Sequence, residues 1–203
     1  MVDVKEAPIN KIFEGTQKLI EAHGYNEVKK EDIARETGIS VNLLDKYFPD
    51  GKVAILKGII QKQSVDFFDK VDFNYVTIDN LAGSLKYLLK LYLKLHYENT
   101  ALLAAMERAF LSNKAMFKGY EDIFTIELTA APLVAQVLRH FGFKEGKNFD
   151  DFVSLIIHTL DSLVHRHVIY SKIVEDDNVL IDYLISLSVG FINYSVQFRN
   201  EQK

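Results

Sequence analysis

The sequence predicts an all-α protein, with a three-helix head followed by a larger helical body. Three observations lead there. Apolar residues recur at three- and four-residue spacing along almost the whole 203 residues, as buried helix faces require. The 3 prolines and 10 glycines fall mostly at joints between those stretches. No stretch of useful length alternates apolar with polar as a half-buried strand does, and there is neither an internal repeat nor a low-complexity tract.

The elements follow in order. Ile12, Phe13, Thr16, Leu19 and Ile20 form one apolar stripe on a helix from about Ile9 to His23. Gly24 is placed to end it, since glycine accepts the left-handed conformation of a helix terminus. Two short helices follow, Lys30–Thr37 and Val41–Tyr47, separated by Gly38-Ile39-Ser40. Ser40 is a good N-cap, because its hydroxyl can accept a first-turn amide. Pro49-Asp50-Gly51 reads as a turn before a helix from Lys52 to about Val71. The remainder reads as long helices near Asp79–Glu98, Ala101–Ser112, Lys114–Phe143, Asn148–Val174 and Asp177–Arg199. Pro132 is expected to break or kink the third of these by removing an amide and crowding the preceding turn.

Composition bounds the chemistry. The chain has no cysteine, which excludes disulfides, thiolate metal sites and cysteine nucleophiles. The 28 acids outnumber the 24 lysines and arginines, for a net charge of -4. Any contact with nucleic acid therefore has to come from a local basic face. No leader-like segment opens the sequence and no apolar run is long enough to span a bilayer, so no membrane partner and a cytoplasmic location are expected. No nucleophile–base pair, phosphate-binding loop or dinucleotide fingerprint occurs. No catalytic residue, no cofactor and no enzyme activity are expected.

The stretch from Gly24 to Lys52 carries the most information. Two short helices joined by a tight turn containing Gly38 make a helix-turn-helix pattern. Ile33, Ala34, Ile39, Leu44 and Phe48 are placed to face a core, which leaves Val41, Asn42, Leu43, Lys46 and Tyr47 on the outer side of the second helix. Such a surface enters a major groove with its N-terminal residues nearest the base edges. Gly24-Tyr25, Asp32-Ile33-Ala34, Gly38-Ile39-Ser40 and Tyr47-Phe48 stand in the order and spacing of the TetR family, which the first quarter of the chain resembles. Three positions depart from it. Asp45 stands where the family usually has a tyrosine on a phosphate, Gly51 is an extra residue before Lys52, and Lys29-Lys30 replace a threonine that usually opens the second helix. The expected double-stranded DNA contacts are Lys29, Lys30, Lys46, Tyr47 and Lys52, with Val41, Asn42 and Leu43 nearest the bases. The expected domains are a helix-turn-helix head over residues 1–52 and a ligand-binding and dimerisation body over residues 53–203.

The resemblance implies that the last two helices pair with their twofold mates in a homodimer. Leu180, Leu184, Leu187, Ser188, Phe191 and Ser195 share one side of the last helix, and Leu155, Thr159 and Ser162 lie on the preceding one. A pocket is expected among the helices between, lined by Met106, Phe110, Met116, Phe117, Tyr120 and Phe124, with Arg108 to meet an acidic head group. Those residues suit a lipophilic ligand such as a fatty acid or acyl thioester. His158, Asp161 and His165 share a helix face, but their span of roughly 10 Å is too long for one ion, so no metal site is expected. The resulting expectation is a ligand-responsive repressor released from its operator by a lipophilic molecule. The competing expectation is an all-helical small-molecule-binding protein or enzyme whose head has lost its function.

Overall fold

The computed structural model describes residues 6–112, 125–142 and 149–200. All regular structure among them is helical: α1 (Glu6–His23), α2 (Lys30–Thr37), α3 (Val41–Tyr47), α4 (Lys52–Asp69), a 3-10 turn (Phe73–Tyr75), α5 (Leu81–Glu98), α6 (Thr100–Ser112), α7 (Thr125–His140), α8 (Phe149–His165), a π-helical turn (Arg166–Tyr170) and α9 (Asp177–Asn200). The chain divides into two compact units. One is built from the described residues of Met1–Asp66 and Asn99–Ile123, the other from those of Phe67–Glu98 and Phe124–Lys203.

The first unit is a bundle around a single apolar core. Ile12 and Ile20 of α1, Ile33 of α2, Leu44 of α3, Ile55 and Leu56 of α4 and Leu102 of α6 are all buried in it. The helix ends are set by local chemistry. The Asp32 carboxylate accepts the Lys29 amide at 3.0 Å and closes the start of α2. That bond, followed by the neighbouring Arg35, holds the Asp32 carboxyl below its ordinary range. Gly38 ends α2 at φ 66°, a conformation that would strain any side chain. Ser40 Oγ accepts the Leu43 amide at 3.3 Å, the N-cap expected from sequence. The additional Gly51 sits at φ 70°, its amide on Phe48 O at 2.8 Å and its carbonyl accepting from Ile55 N at 3.3 Å. It makes the turn that launches α4. One close approach fixes α4: a Cβ on Gly58 would come within 2.4 Å of Phe13 Cζ. The Phe13 ring in turn lies 5.7 Å from that of Phe48.

The second unit packs α5, α7, α8 and α9 together. One cluster joins Leu138 of α7, Val153, Ile156 and Ile157 of α8, and Ile192 of α9. Another joins Leu89 and Leu93 of α5, Val164 of α8, and Leu180, Ile181 and Leu184 of α9. Pro132 does not end α7, which runs from Thr125 to His140 through it. The proline is exposed, where solvent can serve the group its missing amide leaves unpaired. The expected extension of this helix back to Lys114 lies outside the described residues.

The sequence pattern reads α8 as one helix to Val174, but the α-helix stops at His165. Beyond it the backbone widens into the π-turn, closed by Ser171 N on Arg166 O at 3.4 Å. Within that turn lies His167, whose side chain is fully buried. Its Nδ1 accepts the Ile173 amide at 3.0 Å, so the proton lies on Nε2, which donates to Asp177 Oδ1 at 3.1 Å. The same oxygen accepts from Tyr97 at 3.0 Å and Lys172 at 3.1 Å. Asp177 thus gathers the start of α9, the end of α5 and the connection between α8 and α9.

Candidate nucleic-acid interface and ligand cavity

In the head, α3 is partly buried. Leu44 is buried, Val41, Leu43 and Tyr47 are half-buried, and Asn42 and Lys46 are exposed. Asn42, Asp45 and Lys46 are thus the side chains α3 turns most to solvent, while Tyr47 packs against the core. Lys29 is exposed beside them. Lys30 is held by Asp45, the acid that stands in the recognition helix. This contact draws Asp45 back toward α2 and occupies a lysine expected on a phosphate.

Lys52 is placed differently from its neighbours. Its ammonium donates to the carbonyls of Tyr25 and Val28, the latter at 2.7 Å. It also lies 4.1 Å from the centre of the Tyr25 ring. Partial burial pushes its pKa down from the ordinary lysine value. The geometry is that of a tie between the start of α4 and the loop after α1. The sequence shows a lysine near the right place; only the fold shows that the extra Gly51 turns it inward.

Of the ligand residues expected from sequence, Met106, Arg108 and Phe110 are among the described residues. Met106 is buried in the core of the first unit with Leu102, Ala105 and Ala109. Phe110 and Arg108 are exposed on α6, and Met116, Phe117, Tyr120 and Phe124 lie outside the described residues. The physical reason is that α6 belongs to the head's own core, so its apolar face fills that core.

Two cavities open instead inside the second unit. The larger, of about 270 Å³, lies against α5, α7, α8 and α9. The smaller, of about 160 Å³, reaches Phe67, Tyr92 and Asp161. They share Leu85, Leu88, Leu133, Val134 and Leu160 as a common wall. Among the described lining residues the larger has few polar side chains, and two of these are engaged. Ser84 Oγ accepts the Thr77 amide at 2.8 Å, and Ser188 Oγ donates to Leu184 O at 2.8 Å. Asp161 is the single charged side chain among the described linings of both.

The dimer expectation separates into two groups. Leu180, Leu184 and Ser188 are buried in the chain's own core and have no surface to offer a partner. Leu187, Phe191 and Thr159 are half-buried, and Leu155 and Ser162 are exposed. The Ser195 side chain lies outside the described residues. The outward face of α9 is instead Val179, Tyr183, Ser186 and Gly190, with Val179 54% and Tyr183 58% exposed. Leu155, 51% exposed, is its counterpart on α8. An apolar stripe does not declare which core it faces, and α9 carries one on two sides.

The histidines regroup as well. His158 is exposed, whereas His96 from α5 is brought to Asp161 and His165. The expectation of no metal site rested on the distance from His158 to His165 along one helix. No pattern along α8 announces a third member on α5.

The chain thus combines a helix-turn-helix, formed by the second and third helices of its first unit, with a helical second unit that holds an apolar cavity. Residues 12–59 match the model of the bacterial regulatory proteins of the tetR family. No curated protein matches the chain in sequence. Among solved structures, a protein assigned to the TetR family of transcriptional regulators from Mesorhizobium loti MAFF303099 superposes with a TM-score of 0.67 at 12% identity, over 95% of this chain and 98% of that one. A TetR transcriptional regulator from Rhodococcus sp. RHA1 gives 0.63 at 14% identity, over 92% and 97%. The fatty acid degradation regulator FadR from Bacillus halodurans gives 0.52 at 20% identity, over 93% and 94%. Residues 12–59 thus match the tetR family model, and the chain takes the fold of solved TetR-family regulators. No described helix is long and apolar enough to cross a membrane.

Proposed function

We propose that this protein is a ligand-responsive repressor, working as a homodimer that holds an operator through α3 and releases it when a lipophilic molecule fills the second unit. One observation carries this reading: a helix-turn-helix head shares its chain with a unit that keeps a largely apolar cavity of about 270 Å³. A cavity of this kind is not needed for DNA binding, and apolar clefts with few polar groups are the usual form of small-molecule sites. Release then follows if the ligand binds better to a conformation that does not fit the operator.

On the head, Asn42 and Lys46 are the exposed polar groups of α3. Asn42 is placed to read an adenine edge, with Val41 and Leu43 beside it, and Lys46, Lys29 and Tyr47 to meet phosphates. For the ligand, the two cavities with their common wall favour an elongated apolar body. The name of the FadR neighbour, a fatty acid degradation regulator, points the same way. Asp161 at the far end disfavours a free carboxylate there and favours a neutral or hydrogen-bond-donating group. For the dimer, the outward faces of α8 and α9 supply Leu155, Val179 and Tyr183.

The deciding experiment is a salt-titrated gel shift on DNA flanking the protein's own gene, with and without a graded series of acyl alcohols. The expected result is a specific complex whose affinity falls with salt and which dissociates as the chain lengthens. A shift that is absent at low salt, with acyl alcohols still raising the melting temperature, would favour a small-molecule-binding protein with a silent head.

A further inference from the structure

We propose that His96, Asp161 and His165 form a binding site for a divalent transition metal of the zinc class, joining α5 to α8 inside the second unit. One ligand atom from each of the three lies within 4.8 Å of the others. The closest pair, His165 Nε2 and Asp161 Oδ1, are 3.5 Å apart. Two donors on one tetrahedral zinc stand about 3.3–3.4 Å apart, given Zn–N distances of about 2.0–2.1 Å. The pair is therefore nearly at ligating separation, and His96 has only a short distance to close.

The positions follow from the fold. Asp161 and His165 are four apart on α8 and share a face. His96 comes from the last turns of α5, which packs on α8, and the His96 and His165 rings lie 4.9 Å apart. The side chains are largely withdrawn from solvent, with His165 13% and Asp161 23% exposed and His96 buried.

The surroundings prepare the donors. His96 Nδ1 lies 2.9 Å from the Tyr92 carbonyl. That carbonyl can only accept, so the proton sits on Nδ1 and the lone pair on Nε2. The Tyr92 hydroxyl donates to the Asp161 carboxylate. A backbone carbonyl behind one imidazole and a hydroxyl behind the carboxylate are the outer partners that orient metal ligands. Two imidazoles and one carboxylate suit zinc, cobalt or ferrous iron rather than calcium or magnesium, which take oxygen ligands. Three protein donors also leave a coordination position for water or a small ligand. Asp161 also lines the smaller cavity, so the metal site and a ligand there would share that carboxylate.

The test uses the full chain, stripped of metal with a chelator and titrated with Co2+ and then Zn2+. One Co2+ per chain is expected, with the intense visible bands of four-coordinate cobalt, bleached by stoichiometric Zn2+. His165→Ala and Asp161→Asn should abolish the bands. Tyr92→Phe, which keeps the ring packing, should weaken Zn2+ about 10–100-fold, and His158→Ala should change nothing. Circular dichroism identifies any variant that fails to fold, for which His165→Gln is the substitute. Absence of the cobalt bands in the wild-type protein overturns the proposal. So does an affinity that survives His165→Gln, or one that falls as far with His158→Ala.

Discussion

Lys30, the first residue of α2, holds its ammonium against the carboxylate of Asp45 in α3. Both side chains are partly exposed, at 39% and 47%, and such a pair is worth about 0–1 kcal/mol. Asp45→Asn should therefore leave folding almost unchanged. It should strengthen binding to the operator, because it removes an acid beside the DNA and releases a cation. The expected signature is a salt dependence steeper by about one unit, read by fluorescence anisotropy. An unaltered slope would remove Lys30 from the interface.

Lys52 has the opposite profile. Its ammonium bonds the Tyr25 and Val28 carbonyls, and hydrogen bonds from a charged group are worth about 1.5–3 kcal/mol. Lys52→Met should lower stability by about that amount while leaving the salt slope of DNA binding as it was. A slope reduced by about one unit with the melting temperature preserved would restore a phosphate role.

The dimer surface is tested by contrast. Tyr183→Glu and Leu155→Glu add a charge to exposed positions, so the isolated chain should tolerate them while the paired surface should not. Light scattering should shift from twice 23.3 kDa to 23.3 kDa. Leu184→Ala, at a position 1% exposed, should instead cost about 2–5 kcal/mol of folding stability. Dimeric Tyr183→Glu protein would show that this face of α9 is not the interface.

Val134 lines both cavities. Val134→Phe should fill their common wall and abolish the thermal stabilisation that an acyl alcohol gives the wild type. Stabilisation that persists in the variant would place the ligand elsewhere.

Asp177 should contribute to the acid limb of stability. Burial raises its pKa, but hydrogen bonds from His167, Lys172 and Tyr97 outweigh this and hold it below the ordinary aspartate value. A depressed carboxylate pKa contributes stability above the unfolded value of about 3.9 and loses it as pH falls through the folded one. Asp177→Asn should remove that contribution. In urea melts its stability should change less than the wild type's below about pH 4, and an identical acid limb would refute the role.

The head was legible in the sequence because its signals are local. Ser40 caps the helix that follows it, Gly38 takes the conformation only glycine takes easily, and Ile12, Thr16 and Ile20 fall on one face of α1. The body was less legible because its decisive facts are long-range. Met106 is an apolar helix residue whichever core it joins, and periodicity cannot tell the head's core from a pocket wall. Leu180 and Leu184 make as good a stripe as Val179 and Tyr183, and only packing against Leu89 and Leu93 decides which is inward. His96 meets Asp161 through a crossing of two helices, which leaves no trace in spacing along either.

At Gly58 the backbone of α4 bears directly on the Phe13 ring, and that ring touches Phe48, whose amide bonds Leu44 O at 2.8 Å and closes the last turn of α3. A methyl group on Gly58 would meet the far edge of that ring. α4, α1 and the end of α3 are thus joined by one chain of contacts. A displacement of α4 should therefore be felt at the end of α3 through two aromatic rings, with no change inside α3 itself.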